Sequence, residues 1–394
     1  MVMVRLLSTL LKQPELGRYV VPIVPDEART FGMDGLFKVA GIYSPEGQKY
    51  RPVDADSLLP YREVADGQIL QEGICEVGAM ASFMAAGSAY AVHGLPMIPF
   101  YIFYSMFGFQ RVGDMIWSCG DMMCKGFLLG GTAGRTTLNG EGLQHQDGHS
   151  HILASTVPNL RSYDPAVGFE VAALVREGMY QMYALQQDVF YYLTLYNENY
   201  AMPSLAQIAQ QTGVAEEEIL QGVIAGGYRF YRGPADTACT VHILASGSIM
   251  QQALLARDAL ENIGIGVCLW SMTSFVELQR DALACQQYNR ENPQGEPKIS
   301  RLHKMFNGES GVFIAVTDYM AALAQGIAAW MPVGFEVLGT DGYGLSESRP
   351  RLREHFAVDA LAIAEASLSA LYRNGLIERD ELESAVQGLR RANN

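Results

Sequence analysis

The segment PMIPFYIFY, Pro96–Tyr104, constrains the fold more than any other stretch of this sequence. It is aromatic and branched and holds too few polar residues to alternate between core and solvent. It therefore reads as a strand buried on both faces, bounded by Pro96 and by a turn at Ser105–Gly108. Such strands belong to parallel sheets covered by helices, and the flanking text agrees. Residues Gln68–Gly94 place apolar and small residues at helical spacing before a closing glycine, which predicts a buried helix. A helix through QRVGDMIWSCGDMMCKG, a strand at FLLGG, a helix near Phe169–Leu185 and a strand at VFYYLTLY continue the alternation, as in a parallel α/β sheet.

Residues 202–232 are more polar and hold a short capped helix around SLAQIAQQTG, so they read as a segment connecting domains. A second α/β unit follows. TVHILASGS is a strand running into a small-residue turn, IMQQALLARDALENIG a helix, and IGVCLWSM, GVFIAVTD and FEVLGTD three further strands. At 394 residues, 49% hydrophobic and 18% charged, the chain is long enough for two domains with cores of their own. The expected boundaries are 1–201, 202–232 and 233–394.

Lys and Arg number 28 against 42 Asp and Glu, a net charge of -14. That balance repels a nucleic-acid backbone or an anionic membrane surface, so neither is expected as a partner. The longest apolar run, LPMIPFYIFYSMFGF, is shorter than the roughly 18 residues a membrane helix needs. The six cysteines form no C-x-x-C pair, suggest neither a zinc ribbon nor a disulfide framework, and fit a reducing cytoplasm.

Four stretches carry candidate chemistry. TTLNGEGLQHQDGHSH, Thr136–His151, gathers His145, His149 and His151 with Glu141 and Asp147 between glycines. Its H-x3-H-x-H spacing with Gly148 inside matches no helical metal-binding pair, so a metal site is disfavoured. Polar density of this kind inside an apolar α/β domain fits a loop at the carboxyl edge of a sheet, where ligands bind. Glu76 lies among Ile74, Val77, Ala79 and Met80; a carboxylate there is either a partnered core acid or a functional one. FYSMFGF, Phe103–Phe109, reads by itself as core packing. PDEARTFGM places Asp26, Glu27 and Arg29 after the apolar strand YVVPIV, as a solvated turn or as the lip of a site. The glycine turns ASGS and TDGYGLSES match no phosphate-loop pattern.

Taken in order, PDEARTFGM, GQILQEGI-x-E-x-GA, LPMIPFYIFYSMFGFQR, GRTTLNGEGLQH-x-DGHSH, NENYAMP, SMTSFVEL and VLGTDGYGLSESRPRLREHFAVD resemble the E1 component of pyruvate dehydrogenase complexes, of the long homodimeric bacterial type. The likeness covers nearly the whole chain. It implies thiamine diphosphate chemistry on a transketolase-like pyrimidine-binding domain followed by a transketolase C-terminal domain. The family's diphosphate-binding domain, with its GDG magnesium signature, is not found in this sequence. The implied arrangement is a split enzyme, α2β2, in which a partner chain ligates Mg2+ and the diphosphate.

The resemblance also assigns roles. It makes Glu76 the acid that bonds the aminopyrimidine ring and promotes its imino form, with Met106 and Phe107 at the cofactor and the Phe107 ring stacked on it. Tyr104 and His145 would face the reacting carbon, His149 and His151 would hold the loop, and Asp26 and Glu27 would stand at the pocket entry. The implied reaction is decarboxylation of a 2-oxo acid, pyruvate first, with transfer of two carbons to a lipoyl domain. The alternatives are ketol transfer from a ketose phosphate or hydroxypyruvate to a lipoyl or acyl carrier protein thiol, and a non-catalytic assembly subunit. Two positions depart from the family pattern: Gln146 stands where glutamate is usual, and Leu345 where arginine is common.

Overall fold

A computed structural model describes residues 2–26, 28–138, 141–233 and 240–392. By their contacts these form two compact units, Met1–Ala133 with Leu153–Ser162 and Leu174–Leu195, and Gly134–Ile152 with Tyr163–Ala173 and Tyr196–Asn394.

The first half of the chain runs α1 (Val2–Leu11), β1 (Val20–Val24), the short pair β2 (Ile42–Tyr43) and β3 (Glu63–Val64), β4 (Leu70–Gln71), α2 (Glu76–Val92), β5 (Ile98–Tyr104), α3 (Ser105–Asp121), β6 (Phe127–Gly131), α4 (Ser150–Ser155), β7 (Leu160–Tyr163), α5 (Gly168–Met179) and β8 (Phe190–Thr194). Six of these strands make a sheet in the order β4-β1-β5-β6-β8-β7. The ladders from β4 through β8 are all parallel. PMIPFYIFY behaves as its composition predicts: β5 lies centrally between β1 and β6, and its residues are buried from Ile98 to Phe103. Ala79, Met80 and Phe83 of α2 and Val112 and Ile116 of α3 are fully buried. The larger of these, Met80, Phe83, Val112 and Ile116, each contribute about 2 kcal/mol of burial.

Three local expectations are corrected. The helix expected from Gln68 starts at Glu76, because Leu70–Gln71 pair with β1, Gly73 takes a positive φ of 75°, and Cys75 caps the helix by accepting from the Gly78 amide. Ser105–Gly108, expected as a turn, is already helical. Gly108 is needed there, since a Cβ would come within 2.1 Å of the Phe103 ring. The expected helix at Phe169–Leu185 ends at Met179 and passes into a π-helical turn, Tyr180–Ala184.

The second half contains α6 (Leu205–Thr212), α7 (Glu216–Ala225), β9 (Tyr228–Arg232), β10 (Val241–Ala245), α8 (Met250–Glu261), β11 (Val267–Ser271), α9 (Phe275–Glu291), α10 (Arg301–Phe306), β12 (Val312–Val316), α11 (Ala321–Gln325), β13 (Phe335–Leu338), α12 (Arg349–His355), α13 (Ala360–Arg373) and α14 (Arg379–Ala392). Its sheet has the order β13-β12-β10-β11-β9. Of the three further strands expected, β11 and β12 pair in parallel with β10 and β13 in parallel with β12, while β9 runs antiparallel to β11 at the edge. Residues 202–232 therefore carry two helices and an edge strand. The first helix is fixed by a reciprocal capping box between Ser204 and Gln207. Trp270, Phe306, Phe313 and Tyr319 anchor one face of this core.

No helix among the described residues is long and apolar enough to cross a membrane. Cys75, Cys119, Cys124 and Cys285 are free thiols. Cys268 is disulfide-bonded, which the cysteine spacing does not suggest.

Candidate active site

In the first unit, three neighbouring strands end at one carboxyl edge, and the proposed residues follow those ends. Beyond β1 lies Asp26, exposed, its carboxylate accepting from Gln71 Nε2 at 2.9 Å at the end of β4. Glu27 lies outside the described residues. Glu76 is the first residue of α2, where a carboxylate meets unpaired amides and the positive end of the helix dipole. Its side chain is 11% exposed and is paired with Arg111. Glu76 is thus a partnered acid at a helix start, while its neighbours Ile74 and Val77 face solvent rather than core.

β5 ends in Tyr104, half-buried, with Phe31 edge-on at 5.2 Å and Phe107 edge-on at 5.9 Å. Met106 and Phe107 open α3 and are also half-buried. Over the Phe107 ring, 3.9 Å from its centre, lies the Arg111 guanidinium. Arg111 was given no role by the sequence. Its position four residues after Phe107 on one helix was the available signal, since i and i+4 side chains meet. At the same edge the hydroxyls of Ser105 and Thr132 are buried without a hydrogen-bond partner, and Thr132 has a positive φ of 49°.

In the second unit, the histidine loop is fastened to the end of β12. Asp318, fully buried, accepts from Thr136 N at 2.8 Å and Thr136 Oγ1 at 2.6 Å on one oxygen, and from Thr137 N at 3.1 Å and Thr137 Oγ1 at 2.6 Å on the other. Burial raises its pKa to about 6, against the opposing pull of those donors and of Arg353. Arg135 N donates to Asp318 O, and Met320 N to Gly148 O, so both ends of the loop meet one strand terminus. The nearly buried Arg135 guanidinium packs on Gly148, where a Cβ would come within 2.1 Å of it. A charged residue closing the strand text GVFIAVTD was the signal for Asp318.

The three histidines are differently placed. His145 is half-buried in a 3-10 turn, Leu143–His145, with Nδ1 2.9 Å from Glu141 O. A carbonyl only accepts, so Nδ1 is the donor in this contact. His149 is half-buried, with Nδ1 4.0 Å from Asp147, whose carboxylate also accepts from the His149 and Ser150 amides and caps α4. His151 is buried edge-on to Tyr319 at 4.7 Å, and burial pushes its pKa down, so it is a packed neutral ring. Among the described residues no three His, Cys, Asp or Glu side chains gather to hold a metal ion.

Two helix-flanked, mostly parallel sheets of this kind are the transketolase-like fold, as comparison with solved structures shows. Transketolase from Leishmania mexicana shares the fold with a TM-score of 0.65 at 16% identity, over 94% of this chain and 45% of that one. A split gene transketolase, solved as an inactive β4 tetramer, shares it with a TM-score of 0.60 at 15% identity, over 94% of this chain and 98% of that one. The model of the pyruvate dehydrogenase E1 component middle domain matches residues 1–203, and that of the transketolase-like C-terminal domain residues 226–359. The chain belongs to the pyruvate dehydrogenase E1 component family. The pyruvate dehydrogenase E1 component of Pseudomonas aeruginosa is 50% identical over 98% of this chain and 43% of its own length. The chain thus spans less than half the length of the curated relatives it matches.

Proposed function

We propose that the chain is the β-like part of a thiamine-diphosphate-dependent E1 that decarboxylates a 2-oxo acid, pyruvate first, and passes the two-carbon unit to a lipoyl group. On this reading residues 1–201 are the pyrimidine-binding domain, 202–232 a connector and 233–394 the C-terminal domain. A second chain would carry the diphosphate-binding domain and ligate Mg2+, in an α2β2 assembly. Membership of the E1 family supports the cofactor class. The split gene transketolase supports the idea that this pair of domains can be a chain of its own.

The observation that carries the reading is the setting of Glu76 and Phe107. A flat cation, the Arg111 guanidinium, already lies on the Phe107 ring and against the Glu76 carboxylate. An aromatic face beside a largely buried acid is what a planar, partly cationic aminopyrimidine needs. The orphaned hydroxyls of Ser105 and Thr132 offer two further polar partners nearby in the chain's fold. The residues present therefore fit the group.

When bound, thiamine diphosphate supplies the carbon nucleophile and the electron sink for decarboxylation. Glu76 would hold a proton against the aminopyrimidine ring nitrogen, and Phe107 with Met106 would orient the ring. Tyr104 would donate a hydrogen bond to the substrate, and His145 would accept or return a proton at the reacting carbon's oxygen. Asp26 would guard the entry.

Calorimetric titration of thiamine diphosphate and Mg2+ tests this reading. Binding is expected only when the chain is combined with a diphosphate-binding partner, and tight binding to the chain alone would contradict the split site. Product analysis of the combined enzyme with pyruvate against a ketose phosphate then decides between decarboxylation and ketol transfer.

A further inference from the structure

The text CGDMMCK closes α3 and leads into β6. Two main-chain bonds stop the helix: Cys124 N donates to Cys119 O at 2.9 Å, and Met123 N donates to Gly120 O at 3.1 Å. Met123 itself takes a positive φ of 55°. These are the paired bonds and the left-handed residue of a Schellman cap, whose geometry sets the side chain just beyond the cap against one in the last helical turn. That contact is ordinarily apolar, and here it falls on Cys119 and Cys124.

Both are free thiols, and both are buried. The Cys119 thiol donates to the Cys124 sulfur, which pushes the first thiol's pKa up and the second's down. Cys124 Sγ in turn donates to Met84 O at 3.8 Å. Lys125 N donates to Gly87 O at 3.0 Å, and the Tyr90 hydroxyl donates to Met123 O at 2.9 Å. Gly87 lets α2 come this close, since a Cβ there would lie 2.7 Å from Lys125 O and 3.3 Å from Cys124 Cβ. The cap is thus fixed against α2, and a main-chain bond between the two cysteines brings their Cα atoms within the span a disulfide crosses.

We infer that Cys119 and Cys124 are a redox-active dithiol, a modification site at which a small disulfide oxidant closes a bridge across the end of α3. The step is thiol–disulfide exchange. The Cys124 thiolate attacks one sulfur of the oxidant, whose S–S bond breaks and releases a thiolate. The Cys119 thiolate then attacks Cys124 Sγ and expels the second thiolate. Two protein thiols are oxidised, the oxidant is reduced to two thiols, and the protons lost by the cysteines end on those thiols. Asp121, Met122 and Met123, between the pair in sequence, are exposed, so fraying of the helix end admits the oxidant. Burial slows the exchange but leaves its equilibrium to the geometry of the cap.

The test is a redox titration of the full chain in buffers of reduced and oxidised glutathione. Thiols are trapped with N-ethylmaleimide, and the tryptic peptide Val112–Lys125, which carries both cysteines, is weighed. A bridge is read as the loss of two hydrogens with neither thiol labelled, and it should vanish in Cys119→Ser and in Cys124→Ser. The same titration in urea gives the equilibrium constant of the unfolded chain. The native constant is expected to exceed it by about tenfold or more, because the cap has already brought the sulfurs together. A smaller excess, or a native peptide that carries two glutathiones in place of a bridge, would overturn the inference. Cofactor, partner chain and turnover play no part in the measurement, so its result stands apart from the reaction proposed above.

Discussion

Arg111 lies 3.9 Å above the centre of the Phe107 ring, one helical turn along α3, and its guanidinium is shared with the Glu76 carboxylate at the start of α2. The two helices are thus tied through one cation, whose own side chain is 46% exposed. Cation–π and partly exposed ionic contacts of this kind are worth about 1 kcal/mol. A double-mutant cycle of Glu76→Gln and Arg111→Leu, read by urea unfolding of the first unit's transition, should give a coupling of roughly that size. Additive effects within about 0.3 kcal/mol would show that the pair does not hold the helices together.

Glu76→Gln should lower turnover of the reconstituted enzyme by about 10²-fold or more, the usual yield of a positioned proton-transfer group, with an unchanged circular dichroism spectrum. A carboxamide keeps the shape and can still donate a hydrogen bond, but it cannot give up or take on a proton. A wild-type rate in a folded, cofactor-loaded variant would remove Glu76 from the mechanism.

His145→Ala should depress steps that involve substrate, with kcat/KM for the 2-oxo acid falling about 10²-fold or more while thiamine diphosphate affinity changes little. The contrast matters because His145 belongs to the loop rather than to the strand edge that carries Glu76 and Phe107. A selective loss of cofactor affinity would mean that the histidine holds the cofactor instead.

Asp318 sets a pH dependence. Its pKa is raised from the ordinary 3.8 to about 6, chiefly by burial. Between those values the folded chain keeps a proton that the unfolded chain has released, so this group's contribution is greatest below about pH 4 and falls as pH rises through about 6. The change is on the order of 3 kcal/mol. Asp318→Asn should be less stable at low pH, because its amide faces Thr137 donors, and its urea midpoint should lack this decline. An identical pH slope in variant and wild type would show that Asp318 does not titrate in that window.

What the sequence revealed and what it hid follow from how far apart the interacting residues lie. β5 was legible because nine consecutive letters leave no way to expose it, while Tyr104 and Phe107 at its end read by themselves as core packing and were singled out only by the family resemblance. The start of α2 was misread because ILQEGICE carries apolar residues at spacings that suit a helix as well as a strand; pairing with β1 decides it, and pairing is not local. Glu76 was left open between a partnered acid and a functional one; its partner, Arg111, lies 35 residues on, beyond the reach of any local pattern. The Asp318 clamp joins segments 182 residues apart, and no periodicity reports such a contact. Gln146 could be flagged from sequence, while its bond to Leu345 could not.

The Asp318 clamp also has a consequence for the birth of the molecule. Thr136 leaves the ribosome 182 residues ahead of the aspartate that fastens it, and at a synthesis rate of about 5–20 residues per second that is a wait of roughly 10–40 s. During that interval β5, β6 and β8 can pair with one another, while the histidine loop has its own local bonds. The anchor that fixes the loop is therefore supplied by a stretch of message translated long after its own.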